Sequence, residues 1–194
     1  RRGPRGEKRR RHRSRLLMTG ESVDTSGAAA ALVGQNLPDI GLAATNDSVI
    51  NLSQLRGVSV LYAYPRTSPP DGAPSPGWSE IPGAKGCTPQ SCAFRDLYEA
   101  FKSAGVDNLF GMSVQDTDYQ KEVVSRLSLP FPLLSDELFA FQKALNLPTF
   151  EAAGMTLLHR ISIVARNGEI EQIFHSIDDP AMNARHVLNV LQRG

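Results

Sequence analysis

Residues 58–64 read Val-Ser-Val-Leu-Tyr-Ala-Tyr and end on Pro65. A run that is apolar toward both faces belongs in the middle of a sheet with helices packed on each side, because a strand with one wet face alternates instead. This stretch commits the chain to an α/β architecture, and the flanking segments supply its other parts. Residues 38–42 and 49–52 bracket Asn46-Asp47, a turn pair, and predict an N-terminal hairpin. Ser53 is placed to cap a short turn through Leu55 that Gly57 ends. A helix is predicted from Pro89 to about Ala104, with Phe94, Leu97, Tyr98 and Phe101 as its apolar stripe and Gly105 as its stop. A strand over 109–114, a helix over 119–127, an extended segment over 130–134 and a helix over 138–145 follow. Residues 161–165 and 170–175 flank Asn167-Gly168 as a second hairpin, and Pro180 opens a terminal helix. Met182, Val187, Leu188 and Leu191 are available to face the sheet. The sum is a mixed central sheet between helical layers.

The length of 194 residues and 41% hydrophobic content fit one domain with a tail. No apolar run approaches the roughly 18 residues of a membrane span, and the N-terminal residues contain no apolar signal-peptide core. An intracellular, cytoplasmic protein is therefore expected. The formal charge of +1 hides an asymmetry: residues 1–17 carry nine Arg or Lys against Glu7, so the rest of the chain is acidic. Residues 1–32 are expected to be a tail, basic and then rich in small residues, without fixed structure; the domain is expected over 33–194. Nuclear targeting is the alternative for the basic segment, and Met18 is an alternative start. Little nucleic-acid contact is expected, since no aromatic stacking surface accompanies the charge.

Both cysteines of the chain lie in Gly86-Cys87-Thr88-Pro89-Gln90-Ser91-Cys92-Ala93-Phe94-Arg95-Asp96. Thr88 is a good N-cap and Pro89 suits a first helical position, which puts Cys87 where unpaired backbone donors and the helix dipole favour a thiolate. Within a regular helix Cys92 would stand roughly 8–9 Å away between Cα atoms, beyond disulfide reach unless the first turn unwinds. The two thiols read as a redox couple; two inert buried cysteines are the alternative. Two cysteines make no disulfide framework, and His159, His175 and His186 show no spacing that would complete a structural zinc site with them.

Residues 60–65, the cysteine segment and Leu129-Pro130-Phe131-Pro132-Leu133-Leu134-Ser135-Asp136 together resemble the bacterioferritin-comigratory, or peroxiredoxin Q, branch of the thiol peroxidases, over about Asn36 to Leu191. The resemblance implies a thioredoxin-like fold and reduction of hydrogen peroxide and organic hydroperoxides, with no metal, haem or flavin. It implies Cys87 as the peroxidatic thiol, Cys92 as the resolving thiol, and Arg160, in a strand after the third helix, as the active-site arginine. Cys87 would become a sulfenic acid, Cys92 would close a disulfide on it, and thioredoxin or a similar dithiol would reopen it. An internal resolving thiol leads us to expect a monomer, with exposed aromatic surface near an insert at about residues 66–81 offering a weak dimer. The alternatives are a general protein disulfide oxidoreductase and a non-enzymatic redox-sensing or binding protein.

Two departures from the family pattern stand out. Where the pattern has a proline and a hydroxyl residue ahead of the peroxidatic cysteine, this chain has Glu80 and Ala84. About sixteen residues, roughly 66–81, are inserted after Pro65; they are rich in proline and carry the only tryptophan, Trp78. Thr67, Ser68 or Ser79 could fold back to replace the missing hydroxyl, and Trp78 either covers the peroxide entrance or anchors the insert.

Overall fold

A computed structural model describes residues 25–194. The expectations for the basic tail fall on residues outside these. Residues 25–32, assigned above to the tail, are structured: α1 (Thr25–Ala30) forms a short helix, with Ala29 and Leu32 buried. The small apolar side chains that read as featureless are sized to pack.

The N-terminal hairpin forms as expected from β1 (Gly41–Ala44) and β2 (Val49–Asn51), with Asp47 at positive φ in its turn. The short helical turn at Leu52–Gln54 is capped by Asn51, which accepts from Ser53 N, and not by Ser53 itself. β3 (Val58–Ala63) is buried along its whole length. It pairs parallel with β4 (Val106–Ser113) and antiparallel with β8 (Ile161–Arg166). The sheet has seven strands in the order β2-β1-β5-β4-β3-β8-β9, with β5 at Leu133–Ser135 and β9 at Glu169–Phe174. A separate two-stranded ribbon, β6 (Thr149–Ala152) with β7 (Met155–Leu158), was not predicted; its turn is Ala153-Gly154, both at positive φ.

Alternation along β3 splits the interior in two. Val60, Tyr62 and Tyr64 join one core with Phe94, Phe101, Val123, Val187 and Leu188, which come from α2 (Cys87–Asp96), α3 (Tyr98–Ser103), α4 (Thr117–Leu127) and α6 (Pro180–Arg193). Leu61 and Ala63 join the other with Phe141 and Leu145 of α5 (Ala140–Leu145), Leu52 and Leu32. This is the mixed sheet between helical layers of a thioredoxin-like fold. Tyr62 binds α2 to the sheet: its ring stacks on Phe94 at 4.2 Å, and its hydroxyl lies 3.0 Å from that of Ser91.

Two helical expectations need correction. The single helix over 89–104 is two, because the chain breaks at Leu97 and restarts as α3. On α6, Met182 is 42% exposed, and the buried places near its start belong to Asn183 and Ala184.

Candidate active site

The chain leaves β3 at Pro65, passes through the insert, and returns at Gly86. This glycine has φ +105, and a Cβ there would meet Pro180 Cγ at 2.7 Å, so both the backbone angle and the close approach of α6 require glycine. Gly86 is the N-cap of α2, so the cap expected at Thr88 moves two positions and Cys87 becomes the first helical residue. The first helical bond runs from Gln90 N to Gly86 O at 3.0 Å. Cys87 is 3% exposed, and its Sγ donates weakly toward Ala84 O at 3.8 Å. Cys92 lies further along the same unbroken helix, half-buried, and both thiols are free. With the helix intact the two are roughly 8–9 Å apart between Cα atoms, so they cannot join without unwinding.

Arg160 stands in the corner between β7 and β8, not inside a strand as expected. It is buried, with Nη1 3.5 Å and Nη2 3.6 Å from Cys87 Sγ. Nη1 also donates to Gln90 Oε1 at 2.6 Å, and Nη2 to the carbonyls of Gly83 and Lys85 at 3.0 and 2.9 Å. These contacts fix the guanidinium plane against the sulfur. Burial pushes the Cys87 thiol up, while the Arg160 charge and the Arg66 backbone N–H draw it back in part. The expectation that the helix start alone favours a thiolate thus omitted the cost of taking the sulfur out of water.

Behind Arg160 the polar contacts continue inward. Gln90 Nε2 donates to Asn183 Oδ1 at 3.0 Å, and the Ser162 hydroxyl donates to the same oxygen at 2.7 Å. Neither Gln90 nor Asn183 was singled out in the sequence. Gln90 carried a signal, since it stands three residues after Cys87 and so shares its helix face; Asn183, amid the apolar positions of α6, carried only its oddity. His159, next to Arg160, packs its ring 4.9 Å from that of Phe150, and burial lowers its pKa. Arg95 pairs with Asp96 and donates to Leu127 O at 2.8 Å, which ties α2 to the end of α4.

The insert borders the site. Trp78 is buried in a small cluster with Ala84, Ala152 and Leu157, which anchors the insert to the β6–β7 ribbon. Trp78, Arg66, Ser68, Ser79 and Lys85 also line a cleft of about 200 Å³ that includes Cys87. The Thr67 hydroxyl is turned away to Gln115 Oε1 at 3.2 Å. Among the described residues no Ser or Thr hydroxyl bonds the Cys87 sulfur; the side-chain donors on it are the two Arg160 Nη atoms. Because Trp78 is buried, it offers no exposed aromatic surface for a dimer.

A family model described as Redoxin matches residues 32–191. The chloroplastic peroxiredoxin Q of Oryza sativa subsp. japonica is 31% identical over 160 residues, 82% of this chain and 66% of that protein. That of Populus jackii is 29% identical over 177 residues, 91% of this chain and 75% of its own. The chain thus spans about two thirds of the rice relative's length. In fold it is similar to peroxidoxin BcpB from Mycobacterium tuberculosis, with a TM-score of 0.65 at 22% identity, covering 83% of this chain and 96% of that one. Xanthomonas campestris peroxiredoxin Q gives a TM-score of 0.65 at 22% identity, with coverages of 81% and 94%. This chain belongs to the redoxin family, within the peroxiredoxin Q, or bacterioferritin-comigratory, branch of thiol peroxidases. The chemistry of that branch is thiol-based peroxide reduction. The relatives overturn the expected cytoplasmic location: those from rice and poplar are chloroplastic proteins. Among the described residues no helix is long and apolar enough to cross a membrane.

Proposed function

We propose that this chain reduces hydrogen peroxide and organic hydroperoxides, with Cys87 as the attacking thiolate, Arg160 as its electrostatic partner and Cys92 as the resolving thiol. The observation that carries the reading is the Cys87 sulfur, buried at a helix start with both Arg160 Nη atoms at 3.5 and 3.6 Å. The Cys87 thiolate attacks the terminal peroxide oxygen; an S–O bond forms, the O–O bond breaks, and water or an alcohol leaves after taking a proton. Negative charge grows on the departing oxygen. Arg160 and the free N–H groups of the first turn of α2 stabilise it in a site from which bulk water is excluded. The first turn of α2 then unwinds, Cys92 attacks the Cys87 sulfenic acid, and a disulfide forms with loss of water. A dithiol reductant of the thioredoxin kind restores both thiols by exchange. Resolution inside one chain calls for no partner subunit, and we read the protein as a monomer. The plant relatives support an organellar site of action.

Burial of Cys87 argues against a general disulfide oxidoreductase, since a protein disulfide cannot reach a sulfur 3% exposed whereas a peroxide can. The test is peroxide consumption coupled to thioredoxin oxidation. Turnover is expected in the wild type and should vanish in Cys87→Ser; a folded Cys87→Ser that keeps near-native turnover would sink the proposal.

A further inference from the structure

We propose that Asn183 is a positioning residue that latches the active-site turn closed and so sets how fast Cys87 passes from its sulfenic acid to the disulfide. The inference rests on the reading of Cys87 and Cys92 as attacking and resolving thiols. Asn183 lies near the start of α6 among Ala184, Val187 and Leu188, and it is 1% exposed. A buried polar side chain on an apolar helix face costs stability unless it is bonded, and Asn also favours helix less than the apolar residues that would fit there. Its Oδ1 accepts twice, from Gln90 Nε2 and from the Ser162 hydroxyl. Gln90 has its own oxygen committed to Arg160 Nη1, so its amide is held in one sense between the arginine and Asn183.

This places the start of α6 at both ends of the turn that must open. Pro180 packs against Gly86, and Asn183 holds Gln90; Cys87 lies between these two points, inside the bond from Gln90 N to Gly86 O. When the turn unwinds to bring Cys87 to Cys92, Gln90 leaves Arg160 and Asn183 together. The latch therefore favours the first reaction, which needs Arg160 fixed at the sulfur, and delays the second, which needs the turn released. Delay exposes the sulfenic acid to a second peroxide, which carries it to the sulfinic acid.

The test compares Asn183→Leu with the wild type in stopped flow, where the lone tryptophan, Trp78, in the Cys87 cleft reports the site. Mass spectrometry after graded peroxide counts disulfide and sulfinic acid. Asn183→Leu should form the disulfide roughly tenfold faster, the shift that accompanies loss of one buried hydrogen bond. It should also accumulate less sulfinic acid and undergo the first oxidation more slowly. Asn183→Asp keeps an oxygen acceptor at the same position and should stay near the wild-type balance. Val187→Ala loosens α6 without touching the polar chain, and should lower the melting temperature with no change in the sulfinic fraction. If Asn183→Leu does not fold, Ser162→Ala removes one of the two donors and should shift the balance the same way by a smaller factor. Unchanged disulfide and sulfinic yields in a folded Asn183→Leu, or in Ser162→Ala where it stands in, overturn the latch; so does Asn183→Asp behaving like Asn183→Leu. If the wild type itself forms no bond between Cys87 and Cys92, the thiol assignment fails, and the latch with it.

Discussion

Replacing Arg160 with methionine isolates what its charge contributes. The two Nη atoms stand 3.5 and 3.6 Å from the Cys87 sulfur. A unit charge at that distance attracts a thiolate by about 5 kcal/mol at an effective dielectric constant of about 20. Water admitted to the vacated space returns part of this, leaving a loss on the order of 3–4 kcal/mol, or roughly 10²–10³-fold in rate. The pH dependence gives a second signature. Burial already pushes the Cys87 thiol up and Arg160 opposes it, so removing Arg160 raises the thiol further. Less thiolate is then present at neutral pH, and the rising limb of the rate profile moves to more alkaline pH. Arg160→Lys keeps the charge but cannot reach Gln90, Gly83 O, Lys85 O and the sulfur at once, so it should fall between wild type and Arg160→Met. Trp78 fluorescence in stopped flow, followed from pH 5 to 9 with hydrogen peroxide in excess, measures both quantities. An Arg160→Met variant with an unmoved pH limb and a rate close to wild type would refute the electrostatic argument.

Cys92→Ser should retain the first oxidation of Cys87 but lose sustained turnover with thioredoxin, and peptide mapping after peroxide should find sulfinic acid at Cys87; near-native thioredoxin-coupled turnover in this variant would show that Cys92 is not the resolving thiol. Trp78→Ala empties the cluster shared with Ala84, Ala152 and Leu157, so it should cost about 3–5 kcal/mol in the folded insert and change the ratio of rates for hydrogen peroxide and cumene hydroperoxide. An unchanged ratio would place substrate selection elsewhere. Because the folded-state pKa of Cys87 is raised, the unfolded chain gives up this proton first, so the stability the group contributes is present below the ordinary thiol range and is lost as pH rises through the folded value. Denaturant melts between pH 7 and 10 should therefore show a shallower alkaline decline in Cys87→Ser than in wild type.

What the sequence made legible follows from signals of short range. The β3 run is apolar on both faces, and both main hairpins carry their turn pairs, with Asp47 and Asn167 at positive φ as those turns require. The Cys87 segment carried its chemistry in adjacent residues. What was hidden depends on tertiary contact. The break at Leu97 has no proline or glycine to announce it, and α1 is read from small side chains that only packing distinguishes from a tail. The helix cap moved from Thr88 to Gly86 because the approach of Pro180, distant in sequence, favours glycine there. Resemblance supplied Arg160 as a residue, but neither its corner position nor the chain from Gln90 to Asn183 and Ser162 follows from spacing, since these groups come from three separate elements.

The division of the interior by β3 bears on where the molecule can afford to open. α2 packs only on the Tyr62 side, while the core under Leu61 and Ala63 is closed by α5 and the N-terminal segments and holds no α2 side chain. Repeated opening of the catalytic turn thus belongs to a local cooperative unit, and the sheet's other face supplies a protected one whose amides exchange with solvent only when the whole domain unfolds. Turnover then perturbs one layer of the fold while the strand register that places Arg160 is carried by the other.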